Sequence, residues 1–220
     1  MGISRKLSQL RRQFAADPIL WALWNLLGRI VAGLRCRVMS AILHAPDLRV
    51  GKGSTMRGSR HIRFGRSFHA HGPVWIEAVT SYGGEEFTPA IIIGNSVSAS
   101  DDLHISCIDR IEIGSGVLFG SRVYVSDHNH GDYRSVATAL PKTPPALRRL
   151  GGGGPVVIGD NAWIGHNVVI IGPAIIGEAA VIGANSVIRG NVPAGTIVAG
   201  IPAKPLKQYE TATRTWIRTP

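Results

Sequence analysis

Six isoleucines recur at a spacing of six, without a slip, between Val157 and Gly190: Ile158, Ile164, Ile170, Ile176, Ile182 and Ile188. Gly follows four of them directly, at Gly159, Gly165, Gly177 and Gly183. A small side chain stands four residues after each of the first five (Ala162, Val168, Ala174, Ala180, Ser186), and Asn161, Asn167, Asn185 and Asn191 hold the third position after an Ile. A helix asks for apolar residues every three or four positions and a flat strand every two. A short strand followed by a tight turn, repeated, fits six. The branched Ile points inward, the small residue fills the narrower space near a corner, and Gly or Asn carries the backbone through positive φ. Three such sides close a triangular coil, and stacked coils pair their strands in parallel about 4.8 Å apart. The expected class is all-β: a parallel solenoid with an aliphatic core.

The pattern extends beyond this stretch. Val50, Met56 and Ile62 keep the spacing, as do Phe64, Ala70 and Ile76 after a slip of two. Residues 77–90 interrupt it as a loop. Ile93, Ala99, Ile105 and Ile111 resume it, and Ile113, Phe119 and Val125 follow after another slip of two. From Ser126 to Pro155 it vanishes, and an excursion of this length inside a repeat is a functional loop by default. The segments expected are therefore a basic helical part over 1–48, the solenoid over 49–203 with its extruded loop 126–155, and a capping tail over 204–220.

The formal charge of +10 is unevenly placed. Residues 1–60 hold eleven Lys and Arg against Asp17 and Asp47, so an anionic surface beside the N-terminal segment is expected. No helix-turn-helix, zinc-finger or aromatic-rich strand signature supports nucleic acid as that surface. Asp17-Pro18 reads as a helix start, with Asp as N-cap and Pro at the first helical position. The uninterrupted apolar run Ile19–Trp24 ends at Asn25, short of the roughly twenty residues a membrane span needs. Trp21 and Trp24 beside many Arg suit a helix lying on an anionic membrane surface, through residues 1–45. A helix packed on the solenoid or on a neighbouring subunit is the other reading. Cys36 and Cys107 are too few and too far apart for a disulfide framework, which points to a reducing, cytoplasmic setting, or to the inner face of a membrane.

The sharpest cluster is Ser126-Asp127-His128-Asn129-His130-Gly131-Asp132-Tyr133, where the solenoid breaks into the loop. Moving an acyl group from a thioester to a hydroxyl needs a base for the hydroxyl proton, and imidazole is matched to that near neutral pH. It also needs donors for the oxyanion. His128 and His130 are candidates for the base. A turn whose His cap backbone groups is the alternative. Trp163 lies at an outward position, so it does not fill the core. A ligand groove or a subunit contact would explain it.

The hexads and the run Asn161-Ala162-Trp163-Ile164-Gly165 resemble the hexapeptide-repeat acyltransferases, whose fold is a left-handed parallel β-helix. The left hand comes from the resemblance, since the ordinary crossover rule favours the right. Ile91–Lys207 is most similar to the maltose, galactoside and Nod-factor O-acetyltransferase branch and to polysaccharide O-acetyltransferases with a DHNH sequence. In that branch the base lies sixteen residues after the Gly of an Ile-Gly pair. Counting from Gly114 gives His130, with His128 promoted by a short gap. The resemblance further implies acetyl-CoA as co-substrate, with Trp163, His166 and Ala184 along its groove and Lys204, Lys207 and Arg189 toward its phosphates. Some relatives hold the acceptor sugar with an Asn in the earlier coil. Here that place falls on Ser100, with Asp101 and Asp102 following, a departure from the pattern. A homotrimer is implied, with His130 of one subunit near Trp163 of the next, and a sugar or glycan as acceptor. Acetylation of an amine, on an amino sugar or amino acid, is the rival enzymatic reading. A non-catalytic scaffold, or a trimer holding zinc between subunits, is the non-transferase one, and no His-x4-His pair of the latter kind occurs. No resident metal is expected.

Overall fold

A computed structural model describes residues 18–133 and 142–219. The basic stretch 1–17 with Asp17, loop residues 134–141 and Pro220 lie outside the described residues. The chain winds as a parallel β solenoid with three faces per coil. The first face stacks His69–Ala70, Ser98–Ala99, Leu118–Phe119, Trp163–Ile164, Val181–Ile182 and Thr196–Gly200. The second stacks Thr55–Arg57, Val74–Ala78, Leu103–Cys107 and Tyr124–Ser126, and the third Ile62–Phe64, Ala90–Ile93, Arg110–Ile113 and Val156–Ile158. Strands Val169–Ile176 and Val187–Val192 run through the corner between the second and third faces and join them into one folded sheet.

The spacing of six becomes a coil of eighteen in the pairing register. Ile158 lies opposite Ile176, Ile164 opposite Ile182, and Ile170 opposite Ile188. All six are at most 1 % exposed, and burying each contributes roughly 1.5–3 kcal/mol relative to exposure. The earlier members of the pattern lie inside as well, with Ile76, Ile105, Ile111, Phe119 and Val125 fully buried. The slips of two have a simple cause. Strands of the third face carry two inward side chains, as Ile91 and Ile93 or Ile111 and Ile113 do, so the count passes from one to the other.

The turn chemistry divides differently from the expectation. Asn161, Asn167 and Asn185 do adopt positive φ, whereas the glycines after Ile do not. Those glycines are needed for close stacking instead: a Cβ on Gly165 would lie 2.7 Å from the backbone nitrogen of Ala184 in the next coil. Asn191 sits within a strand, and the preceding Gly190 takes the left-handed turn (φ +74°).

The helix runs over Ile19–Ile42. Pro18, not Asp17, is its N-cap, and no side chain caps it. Its C-terminal half is docked: Cys36 is buried, Met39 packs on the core with the following Leu43, and the Arg35 guanidinium donates to the carbonyls of Val50 and Gly51. Exposed apolar side chains run along the whole helix, from Leu20, Trp21, Trp24 and Leu27 to Val31, Leu34, Val38 and Ile42. Its 24 residues are long and apolar enough to cross a membrane by length and composition alone, although the run Ile19–Trp24 by itself is too short. At the other end, Ala203–Glu210 and Thr215–Arg218 form an antiparallel hairpin on the edge strand Thr196–Gly200, covering backbone groups that an open edge would expose.

Candidate active site at the corner of the second and third faces

Two insertions leave the solenoid at the same corner, two coils apart. The first follows Ala78 and carries the short hairpin Ser81–Tyr82 and Glu85–Glu86. The second follows Ser126 and returns at Val156. Between them, the intervening coil turns tightly through Ile108 and Asp109. Asp127 fastens the second insertion to that turn. Its carboxylate accepts the backbone N–H groups of Ile108 (2.9 Å), Asp109 (2.8 Å) and Arg110 (2.9 Å), the Cys107 thiol (3.1 Å) and His128 Nδ1 (2.8 Å). The Asp127 carbonyl accepts the N–H of Gly154 as the chain returns, and a Cβ on Gly153 would sit 1.9 Å from that oxygen. The run of four glycines therefore admits the returning strand against Asp127.

Burial alone would raise the pKa of Asp127, but the hydrogen bonds from His128, the Ile108 and Asp109 amides and Cys107 outweigh it and hold the carboxyl below the usual range. Burial and the Asp127 charge together push the Cys107 thiol far up, so it stays protonated and is no nucleophile. Burial likewise lowers His104, with Glu77 opposing and His128 adding to the shift.

The two candidate histidines are sorted by this geometry. His128 is 9 % exposed and its Nδ1 is engaged by Asp127. His130 is exposed. Its backbone belongs to the two-residue pairing of Asn129–His130 with Leu150–Gly151, and its carbonyl accepts the Tyr133 hydroxyl at 2.9 Å. Its ring meets Tyr82 of the first insertion, with centroids 5.4 Å apart in an edge contact and Nδ1 3.4 Å from Tyr82 Oη.

The remaining predicted residues lie elsewhere on the solenoid. Trp163 is 53 % exposed on the first face, in a lateral row that runs through Val181 and Ile197 to Lys207. Ser100, His166 and Ala184 follow the corner between the first and second faces, with the coil of Gly120 and Ser121 between Ser100 and His166. His166 accepts the Ser121 amide on Nδ1 (2.9 Å), so its neutral form turns an Nε2–H donor outward. Lys204 pairs with Ala199 at the end of this corner, on the terminal hairpin. Asp102 stands in the left-handed region (φ +53°) just past Ser100, whereas the neighbouring Asp101 bonds Ser121 Oγ. Arg189 is not brought to this set; it lies at the far edge of the second face. Within one chain, the corner bearing His130 is opposite the face bearing Trp163.

Two features escaped the sequence. One is Tyr82, inside a loop with no repeat to place it. The other is an outward row on the second face, where Trp75 stacks on His104 (4.4 Å, 9°) and Tyr124 meets His104 edge-on (5.0 Å). Its signal was available: each of the three residues directly precedes an inward member of the hexad pattern.

Residues 155–190 match the family model of the bacterial transferase hexapeptide (six repeats). The chain is 36 % identical over 127 residues to the Putative lipopolysaccharide biosynthesis O-acetyl transferase WbbJ of Escherichia coli (strain K12), across 57 % of this chain and 64 % of that protein. The match thus spans somewhat less than two thirds of that relative. A hexapeptide-repeat containing acetyltransferase of Vibrio cholerae superposes with a TM-score of 0.53 at 29 % identity, covering 69 % of this chain and 76 % of that one. A structure of that acetyltransferase complexed with acetyl coenzyme A, from Vibrio cholerae O1 biovar eltor, gives a TM-score of 0.50 at 24 % identity over 96 % and 92 %. The chain carries the hexapeptide repeat of bacterial transferases on the fold of the hexapeptide-repeat acetyltransferases, with a helix ahead of it.

Proposed function

We propose that the protein is an acetyltransferase that moves acetyl from acetyl-CoA to a sugar hydroxyl of a glycan, as a trimer of left-handed β-helices. One observation carries the reading: an exposed imidazole, His130, stands at a built corner opposite the exposed Trp163 face of its own chain. A neighbouring subunit that turned its Trp163 face toward that corner would form a cleft between them. Acetyl-CoA would lie along Trp163, His166 and Ala184, with Lys204 and Lys207 at the phosphate end. Ser100 and Asp102 are the proposed acceptor contacts, and Arg189 serves only if a neighbour brings it in. The name of the Escherichia coli relative, a lipopolysaccharide biosynthesis O-acetyl transferase, favours a hydroxyl acceptor on a surface glycan over an amine.

In this mechanism His130 Nε2 takes the proton of the acceptor hydroxyl as its oxygen attacks the thioester carbon. The tetrahedral oxyanion collapses, the C–S bond breaks, and the departing CoA thiolate takes the proton back from the imidazolium. His130 is preferred to His128 because the acceptor must reach the base. His128 and Asp127 then serve to hold the loop root. Direct attack of the acceptor oxygen on the bound thioester needs no cysteine, in keeping with the buried, protonated Cys107.

Calorimetric titration of the full chain with acetyl-CoA tests the reading. Saturable binding is expected, weakened about tenfold or more in Trp163→Ala, the equivalent of about 1.4 kcal/mol for an aromatic contact. Absence of binding in the unsubstituted protein would discard the transferase reading in favour of a scaffold.

A cytoplasmic enzyme resting on the inner membrane face fits the unpaired Cys36 and Cys107 and the exposed apolar side chains of the helix. Because Arg35 and Cys36 dock its C-terminal half, substitution is a cleaner test than truncation. The double variant Trp21→Glu, Trp24→Glu is expected to lose flotation with anionic liposomes while acetyl-CoA binding persists. Equal flotation of both proteins would leave the helix a role in subunit packing.

A further inference from the structure

Tyr82 has one hydroxyl proton, and it is spent: Oη donates to the carbonyl of Ala146 at 2.6 Å. Toward His130 Nδ1, 3.4 Å away, that oxygen can therefore only accept. An imidazole next to an obligate acceptor is favoured with its proton on the facing nitrogen, and the other nitrogen keeps its lone pair. We propose that Tyr82 is a positioning residue that holds His130 as the Nδ1–H tautomer and so leaves Nε2 bare to receive a proton. This role rests on the reading of His130 as the base.

The surroundings are built to keep the contact. Tyr82 belongs to the hairpin of the first insertion, and Glu85 of the same hairpin pairs with Arg149 of the second. The two insertions are thus clasped on either side of His130, at Ala146 and at Arg149. From below, Tyr133 holds the His130 carbonyl, with Arg148 donating to the Tyr133 hydroxyl at 2.6 Å. At 3.4 Å the Nδ1–Oη contact is long, as such contacts are before substrate is bound. When Nε2 takes a proton, the Nδ1–H bond to Oη becomes charge-assisted and strengthens. Tyr82 therefore supports the charged intermediate more than the resting ring.

Long-range proton–nitrogen correlation of the full chain labelled with 15N-histidine reads the tautomer directly, with the His130 signals identified by their loss in His130→Ala. The native protein is expected to show Nδ1–H, and Tyr82→Phe to move His130 toward Nε2–H. In the same variant kcat should fall about tenfold, a fraction of what general-base catalysis contributes, with KM for acetyl-CoA unchanged. Tyr133→Phe, which removes a hydroxyl bonded to the His130 carbonyl and to Arg148 rather than to the His130 ring, should leave the tautomer as it is. A native Nε2–H ring, or a tautomer indifferent to Tyr82→Phe, would overturn the role of Tyr82. A tautomer that shifts as expected while His130→Ala turns over normally would instead overturn His130 as the base, and the catalytic weight of Tyr82 with it.

Discussion

His130→Ala should lower turnover by roughly 10²- to 10⁴-fold, the usual contribution of a positioned base, with little change in affinity for acetyl-CoA. The separation follows from where the groups stand. His130 projects from the extruded loop at the corner of the second and third faces, whereas Trp163, His166 and Lys207 lie on or beside the first face. Removing an exposed imidazole from a loop leaves the stacked isoleucines untouched, so the variant should fold as before. Steady-state rates with a saccharide acceptor, read beside a calorimetric titration with acetyl-CoA, check both halves. His128→Ala provides the contrast. That ring is nearly buried against the Asp127 carboxylate, so its loss should register mainly as lowered stability. Normal turnover in His130→Ala, with turnover lost in a folded His128→Ala, would transfer the base to His128 and make Asp127 its orienting carboxylate.

Asp127→Asn should cost about 3 kcal/mol of stability near neutral pH, in the range for breaking a buried, hydrogen-bonded charge. The 2 % exposed carboxylate holds three backbone N–H groups, a thiol and an imidazole, all from donors that face inward. An amide keeps one acceptor oxygen and turns an NH2 group on the others. The pH dependence has a definite sign. Asp127 has a lower pKa folded than unfolded, so its stabilisation is complete above the unfolded carboxylate value of about 3.9 and is lost as pH falls through the lower folded value. The gap between the native protein and Asp127→Asn should therefore be widest near pH 7 and should close progressively below about pH 4. Urea midpoints measured from pH 7 down to pH 3 would display this. A gap that stays constant to the acid end, or none at pH 7, would mean that the carboxylate does not anchor the loop as drawn.

Much of the solenoid was legible because its constraint is local and repeated. A side chain that must point inward every sixth residue writes itself into the sequence, and even the slips of two proved to be strands with two inward positions, such as Ile111 and Ile113. Outward Trp163 and the loop bearing His128 and His130 were legible for the same reason, as departures from a regular count. The helical part was placed in the sequence, but the docking of its second half through Arg35, Cys36 and Met39 was not legible there, since that half carries no unbroken apolar run. Glycine after isoleucine was assigned to turning when its work is close stacking, a demand that exists only once one coil lies on another.

By itself, then, the sequence determined the coil, its core and the place where the repeat breaks. Only the tertiary structure decided what that break is attached to. Tyr82 lies forty-eight residues before His130 and Asp127 nineteen after Ile108, and no local pattern links either pair. They meet because each turn of the solenoid returns the chain to the same corner, so two insertions far apart in sequence rise there on either side of a single coil.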